Sequence, residues 1–417
     1  MKFIHAADLH LDSPLRGLSR YEDAPAERLR GATRCAFEQL IELAVREAVD
    51  FVLLAGDIYD GDWHDFKTGL YFREQMARLG RAHIPVYIIH GNHDAASVIS
   101  KQLSLPDHVH VCSSRTVESF VLDDLGAAIH GRSFPKRAMT QDLVPDYPEP
   151  VAGYVNIGLL HTSLTGRQGH DSYAPTDLST LIGKGYDYWA LGHVHKREVV
   201  NEAQPRVVFP GNIQGRHAKE TGAKGCELVT IEAGAMEATF VPLDVLRWQQ
   251  LSLDVSGLAH IDDVAPCFQK AMSALLADDA VDFYALRIQL TGATALAAVE
   301  AEQPGTLDAA IRAAAQDVAV DVWVEKVQLS ITAPLDRELM AQRQDAVGEL
   351  IRMVDGIAAD EAALTALVDG ETQALLKYVP RDVQDSDALP LDALSLLRDA
   401  EATVLALLAS AEVTHEN

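Results

Sequence analysis

The stretch Ile88-Ile89-His90-Gly91-Asn92-His93-Asp94 decides how this sequence is read. An apolar run that begins at Val86 stops at three polar side chains able to bind a metal or move a proton. The pattern recurs. "AADLH" closes the run Lys2–Ala6 with Asp8 and His10, and "LLAGDIYD" closes Phe51–Ala55 with Asp57 and Asp60. "IGLLHTS" ends in His161, and "YWALGHVH" ends in His193 and His195. One His or Asp after a strand is usually a satisfied structural or turn residue. Five apolar strands that each deliver Asp, Asn or His at the C-terminal end point to a shared site, because ligands bind at that edge of open α/β sheets.

The donor types select the chemistry. Asp8 and Asp57 are carboxylates, Asn92 is an amide, and His10, His161, His193 and His195 are imidazoles. Oxygen and nitrogen donors without thiolate suit Mn²⁺, Fe²⁺ or Zn²⁺ better than Ca²⁺ or a structural zinc. Seven donors are too many for one ion and suit two ions that share a carboxylate. A metal pair ~3.5–4 Å apart is a clamp for phosphoester hydrolysis.

The surrounding chain supports such a scaffold. Helical spacing over Ala26–Ala48 and Asp65–Arg81 alternates with strand-like runs as far as Ala238–Pro242, which implies a mixed α/β sheet covered by helices. Residues 1–243 are therefore expected to form the first domain. Strands at Gln249–Val255, Phe283–Leu290 and Val320–Thr332, with helices at Ile261–Ala277 and Thr306–Ala315, indicate a small α+β domain over 244–334. Residues 335–417 read as a helical tail, with 17 acidic against 6 basic residues. Val379–Leu389 reads as a linker within it.

Composition sets limits. At roughly 150 residues per domain, 417 residues suggest two or three domains. The chain is 48% hydrophobic and 23% charged, as an ordinary globular protein is. No apolar run reaches the ~18 residues of a membrane span, and with Asp8 in its apolar segment the N-terminus is not expected to be a signal peptide. A cytoplasmic location is expected. Cys35, Cys112, Cys226 and Cys267 show no paired spacing, which argues against a zinc-thiolate site. The net charge of −26 is the wrong sign for holding nucleic acid by bulk electrostatics. A phosphate-bearing substrate would need a local basic patch, metal ions or a partner.

The ordered blocks D-x-H, G-D, G-N-H-D, H and G-H-x-H resemble the calcineurin-like metallophosphoesterase superfamily. The resemblance implies a β-sandwich flanked by helices (αββα), followed by a small α+β capping domain and a helical tail. It also implies that Asp8, His10, Asp57 and His195 hold one metal, while Asp57, Asn92, His161 and His193 hold the other, with Asp57 bridging. His93 would be the general acid or charge stabiliser at the leaving oxygen, with Asp60 orienting it. Asp94 reads as a backbone anchor.

"MKFIHAADLHLDSPLRGL", "GDIYDGDW", "GRSFP" and "FPGNIQGRHAKETGAKGCELV" resemble the nuclease subunit of SbcC–SbcD-type repair complexes, in the YhaO-like branch of DNA repair exonucleases. The resemblance implies a Mn²⁺-dependent DNA exonuclease, with endonuclease activity as a further mode. It would act as a homodimer with an SMC-like coiled-coil ATPase that grips the helical tail. Phosphate contacts are expected from Lys196, Arg197, Arg216, His217 and Lys219, and from Lys224, Arg132, Lys136 and Arg137. His64 is expected to face the site. The aromatic run Phe66, Leu70, Tyr71 and Phe72, with Ala95–Leu103, is the expected dimer surface. The loop Gly211-Asn212-Ile213 departs from the Gly-Ser more usual there.

Two other readings stay open at this level. One is a stand-alone small-molecule or cyclic-nucleotide phosphodiesterase on the same fold. The other is a scaffolding subunit with a vestigial site, which is hard to reconcile with keeping seven costly polar groups.

Overall fold

A computed structural model describes residues 1–13, 25–60, 66–96, 104–164, 173–278, 281–378 and 392–415. The expectations for His64, for the helix start at Asp65, for the linker Val379–Leu389 and for most of Ala95–Leu103 lie outside the described residues. The chain forms two compact units, the first covering 1–249 with 281–285, the second 250–280 with 286–417.

The first unit contains two six-stranded sheets. In one, β1 (Lys2–Ala6), β2 (Phe51–Ala55), β3 (Val86–Ile89) and β4 (Val109–Val111) run parallel. The hairpin of β11 (Gly225–Glu232) and β12 (Ala235–Pro242) extends that sheet antiparallel beyond β1. In the other, β6 (Ala127–Gly131), β7 (Val155–His161), β8 (Tyr188–Gly192) and β10 (Arg206–Phe209) run parallel, with β5 (Glu118–Leu122) and β9 (Glu198–Asn201) antiparallel at the edges.

Strand β2 shows why the sequence reads this way. All five of its residues are buried, because successive side chains serve opposite faces. Phe51, Leu53 and Ala55 enter a core with Ile129, Ile157, Leu159, Tyr188 and Ala190 of the opposing sheet. Val52 and Leu54 enter a second core with Phe37, Leu40, Ile41, Phe72 and Met76 of α1 (Ala26–Arg46) and α2 (Phe66–Arg81). A third core covers the far face of the second sheet, where Leu160, Trp189 and Leu191 meet Phe134, Tyr147 and Leu181. The first unit is thus a sandwich, as the family resemblance implies, rather than the one covered sheet that periodicity suggests. The outer layer over the second sheet is largely loop, with the short helix Leu178–Gly183.

The aromatic surface expected on α2 is narrower than the sequence suggests. Phe72 is 1% exposed and stacks on Phe37 in the core. The Tyr71 hydroxyl donates to the Arg34 carbonyl. Only Phe66 and Leu70 of the four face outward, because residues one apart on a helix point about 100° apart.

His5 couples this core to pH. It is fully buried, with Nδ1 3.0 Å from the Tyr188 hydroxyl and Nε2 3.1 Å from the Leu191 carbonyl. The carbonyl only accepts, so Nε2 carries the proton and Nδ1 accepts from Tyr188. Burial lowers the His5 pKa to about 3, partly offset by the bond to Leu191. The unfolded chain therefore binds the extra proton between about pH 6.5 and 3, and stability falls as pH drops through that window. Urea unfolding at pH 7 and pH 5 should show about 2 kcal/mol of this loss, and His5→Gln should reduce the difference. An unchanged pH slope in the variant would rule His5 out as the source.

In the second unit, β13 (Arg247–Asp254), β14 (Phe283–Ala293) and β15 (Asp321–Thr332) form a three-stranded sheet whose first two strands begin in the first unit. Leu286, Ile288 and Leu290 of β14 are buried, as are Phe268 and Met272 of helix Val264–Asp278 and Leu307 and Ile311 of helix Thr306–Gln316. The tail contributes helices Arg337–Ala341, Ala346–Ala359, Glu361–Leu376 and Ala393–His415. Asp336 and Asp345 cap the first two by accepting from Leu339 N and Gly348 N. Arg337 ties the last helix to the second, 2.7 Å from both Asp355 and Glu401. Among the described residues no helix is long and apolar enough to cross a membrane.

Candidate metal centre and active site

Because β1, β2 and β3 are parallel, and β7 and β8 are parallel, the five strand ends seen in the sequence lie at two sheet edges. The edges meet: His161 at the end of β7 has Nδ1 2.9 Å from the Ala55 carbonyl at the end of β2. Gly192 permits this approach, since a Cβ there would strike the Ala55 carbonyl.

The seven expected ligands come together in two groups. Asp8, His10 and His195 form one, and Asp57, His161 and His193 the other. The Asn92 amide oxygen lies 3.0 Å from His161 Nε2. Asp57 sits between the groups, with Oδ2 3.4 Å from His161 Nε2 and 3.9 Å from His10 Nε2. Its other oxygen accepts from the backbone N–H of His93 at 2.9 Å.

The backbone pays local strain for this arrangement. Asp8, His10, Asp57 and His193 all have positive φ, at 53°, 41°, 54° and 103°. L-residues rarely adopt that region, and such strain persists where surrounding bonds over-determine it. Here Asp8 N donates to Gly56 O and His10 N to Asp57 O, both at 3.0 Å. His193 N donates to the Asp8 carboxylate at 3.0 Å. Asp94 clamps the next turn, accepting from the N–H groups of Ile58, Tyr59 and Gly91 at 3.1, 3.0 and 3.1 Å.

This donor set fits divalent cations. His10 Nε2 and His195 Nε2 face each other at 3.1 Å. Two ring nitrogens that close share at most one proton, so at least one lone pair points into the gap beside two carboxylates that are each 1% exposed. Burial raises the Asp8 pKa to about 6, with neighbouring imidazoles opposing it. Burial would lower His161, but the Asp57 carboxylate reverses this and lifts it to about 9. His161 and the Asp57 carboxylate thus face each other in a buried pocket, where a bound cation would take the place of a proton. Bound ions would activate water and stabilise the negative charge that develops on the oxygens in phosphoester hydrolysis.

Beside the ligands stands His93, about 30% exposed at its side chain, with Nδ1 2.9 Å from Asp60 Oδ1. Burial opposes protonation of His93, yet the hydrogen bond to Asp60 prevails and its pKa is raised. The ring lines the cleft with the Asp60 carboxylate behind it. Asp60 Oδ1 also lies 3.1 Å from His10 Nδ1, so one carboxylate orients both rings.

Gly91 makes room for this. A Cβ there would collide with Asp57 and would lie 2.7 and 2.8 Å from atoms of the His161 ring. Gly91→Ala is expected to displace these groups and lower bound metal below two per chain by elemental analysis. Full occupancy would show that the centre tolerates the shift.

An open cleft of about 870 Å³ covers the centre, lined among others by Asp57, Asn92, His93, His193, His195 and Tyr173. Of the expected phosphate contacts, Lys196, Arg216, His217, Lys219, Lys224 and Arg137 also line it. Arg197 does not. Its Nε lies 2.6 Å from buried Glu227 and its guanidinium covers Phe240 at 4.9 Å, because the chain turns outward after His195. Arg132 pairs with Asp146 at 2.6 Å and Lys136 is exposed, and neither lines the cleft. Lys224 Nζ donates to the His195 carbonyl at 3.0 Å, and Arg216 is 3.2 Å from Glu220. The sequence reading missed Glu220 and Tyr173, which carry no motif spacing. Most of the acidic excess lies late in the sequence: residues 251–417 hold 29 Asp/Glu against 10 Lys/Arg, whereas residues 1–250 hold 32 against 25.

Residues 1–197 match the family described as calcineurin-like phosphoesterase. A curated relative, the uncharacterized metallophosphoesterase YhaO of Bacillus subtilis (strain 168), is 37% identical over 278 residues, which are 66% of this chain and 68% of the relative. The chain belongs to the calcineurin-like phosphoesterase family. As a member it is a metal-dependent hydrolase of phosphoesters, and its candidate metal donors are those described above. Residues 248–332 match a second family, metallophosphoesterase YhaO, middle domain. Among solved structures, TT1561 of Thermus thermophilus is similar at 14% identity and TM-score 0.34, over 57% of this calcineurin-like chain and 98% of that one. A dimetal phosphatase from Danio rerio is similar at 13% identity and TM-score 0.35, over 58% and 96%.

Proposed function

We propose that this phosphoesterase is a Mn²⁺-dependent DNA nuclease. It would act as an exonuclease with endonuclease activity as a second mode, in DNA end processing, repair or defence. The observation that carries this reading is the row of cations in the cleft. Arg137, Lys196 and Lys219 are exposed there around the metal donors, with exposed His217 beside them. A small diester needs one phosphate contact. A strand presents further phosphates on both sides of the scissile bond, and a spread of cations suits it.

In this reading Asp8, His10, Asp57 and His195 hold one ion and Asp57, Asn92, His161 and His193 the other. His93 protonates the leaving oxygen, and Asp60 holds its ring. Residues 1–250 carry −7 of the net charge of −26, so the electrostatic objection raised by the whole chain falls mainly on residues 251–417. Affinity would remain modest and fall steeply with salt. An SMC-like coiled-coil ATPase would supply the rest, docking on the helical tail, where Leu339, Met353 and Leu367 are exposed. Phe66 and Leu70, 50% and 59% exposed, would contribute to a homodimer contact. A monomer mass in light scattering would remove that part.

Linear duplex DNA incubated with the purified chain and Mn²⁺ at low salt tests the activity, beside bis-p-nitrophenyl phosphate. Duplex degradation is expected. Cleavage of the small diester alone, unchanged when a coiled-coil ATPase partner is added, would replace the nuclease by a small-molecule phosphodiesterase.

A further inference from the structure

Glu220 lies in the stretch Phe209–Val229 but outside the five donor blocks, yet its carboxylate is fully engaged beside the first metal position. It is 8% exposed. Oε1 lies 2.7 Å from His195 Nδ1 and 3.2 Å from Arg216 Nη2. Oε2 accepts from the Arg216 backbone N–H at 2.7 Å and from Asn212 Nδ2 at 3.0 Å. The same guanidinium reaches towards Asp60, with Nη1 3.7 Å from Asp60 Oδ2. Asp60 in turn faces His10 Nδ1. Asp60, Arg216 and Glu220 therefore form a chain behind the two imidazoles that face each other across the first position.

The hydrogen-bond directions follow from chemistry. An ionised carboxylate only accepts, so an oxygen 2.7 Å from His195 Nδ1 requires the ring proton there. Arg216 Nη2 is 3.2 Å from that nitrogen as well, but it is equally near Glu220 Oε1, the charged acceptor, and its proton goes there. With the proton fixed on Nδ1, His195 Nε2 keeps its lone pair and aims it at the gap shared with His10.

We propose that Glu220 is a positioning residue that locks His195 in its Nδ1-protonated tautomer and so sets the affinity of the first metal position, with Arg216 bracing it against Asp60. The inference rests on the assignment of His195 as a ligand. It also predicts asymmetry. At the second position His161 Nδ1 meets the neutral Ala55 carbonyl, and no such carboxylate backs it. The departure at Asn212 from the more usual serine now has a reason, since its amide donates to Glu220 and to the Gln214 carbonyl.

Glu220→Gln separates orientation from bulk. Both Glu220 oxygens accept, whereas glutamine must turn an NH₂ either towards His195, reversing the tautomer, or towards the Arg216 N–H, breaking the anchor. Two measurements test this. Long-range ¹H–¹⁵N correlation of the imidazoles in metal-free wild type should show the His195 proton on Nδ1. Calorimetric titration of metal-free protein with Mn²⁺ should show two steps, of which Glu220→Gln weakens one by about 10–100-fold and leaves the other unchanged. Arg216→Lys should weaken the same step less. A wild-type His195 proton on Nε2 would overturn the proposal whether or not the variants fold. So would two steps weakened alike, or neither. A wild type whose tautomer is as expected but which binds no Mn²⁺ would overturn the ligand assignment instead, and the proposed role with it.

Discussion

Asp57→Asn is expected to abolish phosphodiester hydrolysis, by more than about 10³-fold in kcat, and to leave fewer than two metal ions per chain. Asp57 is the one carboxylate placed between both groups of donors, 3.4 Å from His161 Nε2 and 3.9 Å from His10 Nε2. The substitution removes the charge that both positions share. It also unpairs His161, whose raised pKa depends on Asp57. The amide oxygen can still accept from the His93 N–H, so the turn at residue 93 should survive and the fold with it. Hydrolysis of bis-p-nitrophenyl phosphate, elemental analysis and circular dichroism on one preparation check the three statements. A variant that keeps two ions and a tenth of the activity would remove Asp57 from the bridging position.

His93→Gln is expected to behave differently. It should lower kcat by about 10²–10⁴-fold while metal content stays at the wild-type level. His93 reaches the cleft outside the two donor groups that contain Asp57 or Asp8, grouped instead with His10 and Asp60, and its ring is held by Asp60 and lies edge-on to His10. The effect should depend on the substrate. A leaving group such as p-nitrophenolate departs without a proton, whereas an alkoxide needs one. The loss should therefore be small for bis-p-nitrophenyl phosphate and large for a dialkyl diester or DNA. Equal loss on both would make His93 a charge stabiliser rather than a proton donor. Because its pKa is raised, wild-type activity on the alkoxide substrate should decline only above the usual histidine range, as the ring loses its proton. His93→Gln should lack that alkaline limb.

Much of this centre was legible in the sequence, since apolar runs mark strands and strand ends mark a site. The runs at Lys2–Ala6, Phe51–Ala55 and Val86–Ile89 are strands with those same bounds. What the runs could not say is which sheet each strand joins. Strands β2 and β8 are buried on both faces and give no alternation to read, so the division into two sheets was hidden in periodicity. The edge strands β4 and β9, three and four residues long, fall below any periodic signal. Helix Leu296–Glu302 was lost for the same reason. Among candidate site residues, those in tight loops directly after strands are the ones the structure brings together. Glu220 was missed, because its importance lies in a contact 25 residues away in the chain. Arg197 was misplaced because a cation next to a ligand in sequence can still point to the other side of the loop, here to buried Glu227.

The meeting of the two sheet edges has a mechanical consequence. Asp8, Asp57 and Asn92 are carried by one sheet, and His161 and His193 by the other. Ions shared among them would act as rivets across the sandwich. Whatever binding energy they supply would then appear as resistance to the sheets parting, by about 2.7 kcal/mol at a free concentration a hundred times the dissociation constant. Exposure to a chelator should loosen the seam between Leu53 and Leu159 before it loosens the helices outside. The catalytic centre of this protein would thus also be a fastener of its fold.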